Sequence, residues 1–181
     1  MDEVIKRGIA LRDAASEGKT DMVRNLLSRG ARDDIPVRNG YSPLLIAARN
    51  GHAEVCKVLV ERGSDINQQH PLTKDSALSY AALNGHHATL LTLLSLGAWV
   101  DSQAYNGITP LAAACLEGHV ANVVSLLQAG ASMSICDLKG APPIHKAAMK
   151  DHVAVMMTLL EHGCNKDQVS KMSWKRSSYL L

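Results

Sequence analysis

The sequence predicts an all-α solenoid of stacked helix–turn–helix units, and three observations predict it. A glycine recurs about every 33 residues, at Gly30, Gly63, Gly97, Gly130 and Gly163. A second series runs in parallel through Gly18, Gly51, Gly85 and Gly118, with Asp151 in the fifth place. A leucine-type pair precedes each glycine of the first series: Leu26-Leu27, Leu59-Val60, Leu93-Leu94, Leu126-Leu127 and Leu159-Leu160. A fixed period of this size means small units, none able to bury its apolar face alone, that share a core by stacking. Such a chain works by presenting a surface.

The second unit shows how each repeat is built. Ser42 is a fitting N-cap, and Pro43 suits the first helical position, where its missing N–H costs nothing. Leu44 to Asn50 then form a short helix whose paired alanines, Ala47 and Ala48, allow a neighbouring backbone to approach. Gly51 ends it in a left-handed conformation. A second helix runs from about His52 to Glu61, with Val55, Cys56, Leu59 and Val60 at helical spacing, and Gly63 caps it. The register persists at Thr109-Pro110-Leu111 and Pro142-Pro143-Ile144, and weakens at Ser76-Ala77-Leu78. The first unit, with Glu3, Lys6, Arg7 and Arg12, is polar enough for an N-terminal cap.

Composition narrows the function. Hydrophobic residues make up 46% of 181 residues, yet Phe is absent, so the core is built from Leu, Val, Ala and Met. A net charge of +2, with both signs interspersed, gives no electrostatic case for nucleic acid or an anionic membrane. Cys56, Cys115, Cys136 and Cys164 form no CxxC pair and no metal-like spacing with histidine. Cys56 and Cys115 fall at apolar repeat positions and read as buried free thiols. No apolar run is long enough to span a bilayer, and the N-terminus lacks a signal-peptide core. The expected compartment is the reducing cytoplasm or nucleus.

Gly107-Ile108-Thr109-Pro110-Leu111, Asn50-Gly51-His52 and Gly63-Ser64-Asp65-Ile66-Asn67 closely match the ankyrin repeat pattern, and the chain resembles that family over most of its length. The resemblance implies an L-shaped ankyrin solenoid of antiparallel helix pairs with short β-hairpin fingers. The repeats fall at roughly 8–38, 39–72, 73–105, 106–138 and 139–168, in one domain over 1–170. Residues 171–181 form a tail or the start of a further repeat. The fifth second helix, Val153 to Leu160, is apolar nearly all round and expects cover. The tail could supply it through Trp174, Tyr179 and Leu180, or further repeats could. The polar segment Ser173 to Ser178 favours the latter.

Little in the chain suggests chemistry. His52, His86, His119 and His152 share one repeat position, which invites a metal reading. Layers about 10 Å apart are too distant for ligands that each need roughly 2 Å to zinc. The resemblance makes these histidines, and His145, structural groups bonding locally. No nucleophile elbow, phosphate loop or paired-carboxylate motif is present. No catalysis, cofactor or metal is expected. Leu59 to Asn67 resembles the context in which asparaginyl hydroxylases modify ankyrin fingers, with Asn67 as target, although a turn-bridging asparagine is the favoured reading. The C-terminal Tyr179-Leu180-Leu181 reads as a frayed end rather than a β-augmenting ligand.

The resemblance places partners on the concave side, lined by fingers and first helices. The expected partner-binding residues are Arg38, Tyr41, Arg49, Tyr80, Leu83, Tyr105, Ile108, Leu116, Lys146 and Met149. Tyr80, Leu83, Tyr105, Ile108 and Leu116 are apolar or aromatic where solvent is expected, and Arg38, Arg49, Lys139, Lys146 and Lys150 form a charged rim. The alternative is that these side chains pack against one another between fingers. The third finger, Asn67 to Asp75, has one extra residue and no finger glycine, which puts its hairpin turn in doubt.

The function expected is a non-catalytic protein-interaction module. The alternative is a substrate-recruiting arm of a larger enzyme, a ubiquitin ligase adaptor or kinase. A monomer is expected, or an end-to-end dimer through the fifth second helix.

Overall fold

The structure, a computed structural model, describes residues 3–33 and 40–165. Ten helices occur in order among the described residues: α1 (Glu3–Ser16), α2 (Thr20–Ser28), α3 (Pro43–Asn50), α4 (Ala53–Glu61), α5 (Ala77–Leu83), α6 (His87–Ser95), α7 (Pro110–Glu117), α8 (Val120–Gln128), α9 (Pro143–Met149) and α10 (Val153–Glu161). The odd-numbered helices stack as one row and the even-numbered helices as a second, each pair packed within its own repeat. Expectations that fall on Arg38 and on the tail 171–181 lie outside the described residues.

Each first helix begins as its sequence dictates. Ser42, Ser76 and Thr109 stand in extended conformation and accept a hydrogen bond from the N–H of Leu45, Ser79 and Ala112, respectively. Pro142 occupies the same place before α9 and supplies no side-chain cap. The last four second helices begin at a histidine, α2 begins at Lys19 instead, and all five end on a glycine of positive φ, as at Gly63 (φ 99°).

The core is one continuous spine. Leu26, Leu59, Leu93, Leu126 and Leu159 are buried, as are Ala47, Ala48, Ala81 and Ala82 of the first-helix row. Cys56 and Cys115 belong to this core. Burial pushes the Cys56 thiol up to about 12, and that of Cys115 higher still, so both are unreactive side chains of the interior. Among the described residues no helix is long and apolar enough to cross a membrane.

The fingers are turns rather than strands. The described residues contain one isolated antiparallel bridge, Gln69 to Ser76. The fourth and fifth fingers close through Gly107 N–H to Ala104 O and Gly140 N–H to Asp137 O, both 2.8 Å. The third finger does turn, with its extra residue absorbed: Lys74 N–H donates to His70 O at 2.9 Å. Lys74 stands at the missing glycine's place with φ 59°.

Candidate partner-binding face

Neighbouring repeats are locked by a recurring histidine bond. Nε2 of His52 donates to Ser16 O (3.0 Å), and His86 to Arg49 O (2.9 Å). His119 donates to Leu83 O and His152 to Leu116 O, both at 3.1 Å. The bond is therefore not local, as the resemblance implied, but runs to the preceding repeat. It holds the C-terminal turn of each first helix, at Ser16, Arg49, Leu83 and Leu116. With each Nε2 committed to a different carbonyl, the four histidines do not converge on a shared centre.

The loops after the second helices are stapled in the same way. Asn67 Oδ1 accepts from Trp99 N–H at 2.9 Å, and Asp101 Oδ1 accepts from Ser132 N–H at 3.0 Å. Asn67 thus has the same structural work as its equivalent Asp101.

The expected face divides into an exposed part and a buried part. Tyr105 is 75% exposed, and Arg49 and Met149 are exposed. Leu83, Ile108 and Leu116 are half-buried. Tyr80 is not on the surface: it is 5% exposed. Its ring lies 5.6 Å from that of Tyr41, and its hydroxyl is within 3.3 Å of Thr73 Oγ1 and donates to Tyr41 Oη at 3.5 Å. Burial, with the Tyr41 contact, raises the Tyr80 hydroxyl well above the ordinary tyrosine range. Tyr41 also packs on the His70 ring at 4.7 Å and carries the Arg49 guanidinium over its face at 5.0 Å. Packing between fingers therefore accounts for Tyr41 and Tyr80.

Lys146 is also withdrawn from the expected rim, at 8% exposed. Its ammonium pairs with Asp137 of the fifth finger, both side chains largely buried. Burial acts to raise the Asp137 carboxyl, but the Lys146 ammonium and the N–H groups of Ala141 and Lys139 outweigh it and hold the group below the usual carboxylate range.

His70 is a residue that the repeat pattern does not single out. It is buried, and its Nδ1 accepts from the N–H of Leu72 (3.4 Å) and Thr73 (3.3 Å), shaping the third finger. The missing glycine was the available signal, because a finger without it needs another device to turn.

Stacked helix pairs, turned fingers and inter-repeat histidine bonds define the class: an all-α repeat solenoid. A family model for ankyrin repeats in three copies matches residues 5–70 and again residues 78–172. The chain belongs to the ankyrin repeat family, a general protein–protein interaction module. It is 37% identical over 105 residues to the human ankyrin repeat and KH domain-containing protein 1, covering 58% of this chain and 4% of that protein. It is likewise 37% identical over 106 residues to the Drosophila melanogaster ankyrin repeat and KH domain-containing protein mask, covering 58% of this chain and 3% of that protein. The Schizosaccharomyces pombe ankyrin repeat-containing protein P1E11.10 is 48% identical over 54 residues, covering 30% of this chain and 26% of that protein.

Proposed function

We propose that this chain is a non-catalytic module that holds a partner protein on its concave face, working as a monomer in the cytoplasm or nucleus. The observation that carries this is the apolar surface left open there: exposed Tyr105 and Met149 beside half-buried Leu83, Ile108 and Leu116. Arg49 is part of the same face, pre-oriented on Tyr41. Buried free thiols at Cys56 and Cys115 fit a reducing compartment.

The test avoids fully buried residues, because Tyr80→Ala would hollow the core instead of probing the face. Affinity capture from cell lysate compares wild type with Tyr105→Ser/Leu116→Ser/Met149→Ser and with Leu91→Ser, an exposed leucine of α6. Partners lost with the triple variant and kept with Leu91→Ser support the concave face, given unchanged circular dichroism. Partners lost with Leu91→Ser alone would move the site to the outer helices.

A further inference from the structure

Three exposed apolar side chains stand in repeat register at the fingertips. Leu72 is 78% exposed, Tyr105 75% and Leu138 77%. Each follows the residue that opens, or nearly opens, its turn, and they are 33 residues apart in sequence. The fingers carrying them are tied side by side. Tyr105 N–H donates to Thr73 O at 2.7 Å, and Leu138 N–H donates to Asn106 O at 3.0 Å. A β-carbon on Gly107 would lie 2.9 Å from Leu138 N, so the tips approach as closely as backbone allows. Stacked helices are roughly 8–10 Å apart, and tips bonded in register follow that pitch.

The pitch selects the shape of a ligand. A polyproline II segment has three residues per turn at ~3.1 Å each, so every third side chain returns to one face after about 9 Å. A β-strand returns to one face after about 6.6 Å, which drifts out of step within two fingers. A helix needs seven residues, about 10.5 Å, and its ~10 Å width calls for a broad groove rather than a line of single side chains.

Charge selects the flanks. Lys74 and Lys139, beside the outer two tips, are exposed, as are Arg49 and Lys150 on the same face. Glu117 is exposed there and Asp75 is half-buried beside Lys74, whereas Asp137 is neutralised by Lys146. The balance is cationic although the whole chain is close to neutral.

We propose that the fingertip row Leu72–Tyr105–Leu138 docks a proline-rich polyproline II segment with an apolar residue at every third position and acidic residues at its flanks. This rests on the interaction-module reading above and names the partner's chemistry.

The test uses the full chain and a fluorescent synthetic peptide carrying three leucines, each separated by two prolines, with glutamates at both ends. Fluorescence anisotropy should show saturable binding. It should weaken at least tenfold when the same residues are rearranged to put leucine at every second position. Leu72→Ser/Leu138→Ser and Tyr105→Ala should each weaken it at least tenfold, and Lys74→Gln/Lys139→Gln should reduce its salt dependence. No binding of the three-spaced peptide at millimolar concentration, equal binding of the two-spaced peptide, or tighter binding of an amphipathic helix with leucines seven apart would each overturn the proposal. The lysate experiment separates the two readings. Partners lost with Leu116→Ser/Met149→Ser but kept with Leu72→Ser/Leu138→Ser leave the concave face standing and remove the fingertip row.

Discussion

Thr89 and Asn122 occupy a second-helix position that is Val55 and Val155 in other repeats. Both are buried, and neither Thr89 Oγ1 nor Asn122 Oδ1 has a hydrogen-bond partner. A buried polar atom left unpaired costs about 1–3 kcal/mol. Thr89→Val keeps the shape and removes the orphan, so it should raise unfolding stability by about 1 kcal/mol in urea titration. Asn122→Val should gain less, because the Asn122 amide also donates to Ala81 O and Ala82 O at 3.3 and 3.4 Å. Backbone strain gives a second handle. Lys74 at φ 59° bears the left-handed penalty of about 1–2 kcal/mol that glycine avoids at the equivalent place in other fingers. Glycine returns roughly 0.5–1 kcal/mol of that as lost chain entropy. Lys74→Gly should therefore stabilise by up to about 1 kcal/mol, read as a higher denaturation midpoint at unchanged slope.

Glycines that look alike in the sequence differ once the elements are stacked. A β-carbon on Gly63 meets nothing within 4 Å, whereas one on Gly51 would lie 2.7 Å from His86 Nδ1. Gly63→Ala should cost about 1–2 kcal/mol, from its positive φ alone. Gly51→Ala adds the displacement of the His86 ring and its bond to Arg49 O, for about 2–4 kcal/mol in all. A double-mutant cycle with His86→Ala should recover part of that excess; additive losses would show that the ring contact carries no energy. The fifth finger and α9 are coupled by charge instead. The Asp137 carboxyl is held below its unfolded value, so its contribution is complete above about pH 4, the unfolded aspartate range. It is lost as pH falls through the lowered folded value. Lys146→Ala should destabilise by about 2–3 kcal/mol at neutral pH, since Asp137 keeps its backbone N–H partners. It should also flatten the acid limb of the stability curve below about pH 4.

For the whole molecule, what the sequence discloses divides along the axis of the stack. Helices, caps and core follow from spacing within one unit, so the period reveals them: Ser42, Gly63 and the spine from Leu26 to Leu159 are all legible. The face depends on what stands across from each residue. Tyr80 and Lys146 share a repeat position with half-buried Ile46, and the two are withdrawn by Thr73 and Asp137 of their own fingers, partners that no periodicity announces. The same one-dimensional layout governs how the chain should come apart. Among the described residues the main helix contacts run within a repeat or to the adjacent one, so damage should spread by one interface at a time. Leu93 of α6 and Leu159 of α10 are equally buried, and either change to alanine should cost about 2–5 kcal/mol locally. Leu93→Ala lies in the middle and should lower amide-exchange protection in α4, α6 and α8 together. Leu159→Ala lies in the last described repeat and should open α9 and α10 while α3 to α6 keep wild-type protection, as read by hydrogen-exchange mass spectrometry. Equal loss of protection from α1 to α10 in the Leu159→Ala variant would mean that interface coupling exceeds the stability of single repeats, and the stack would then open as one cooperative unit.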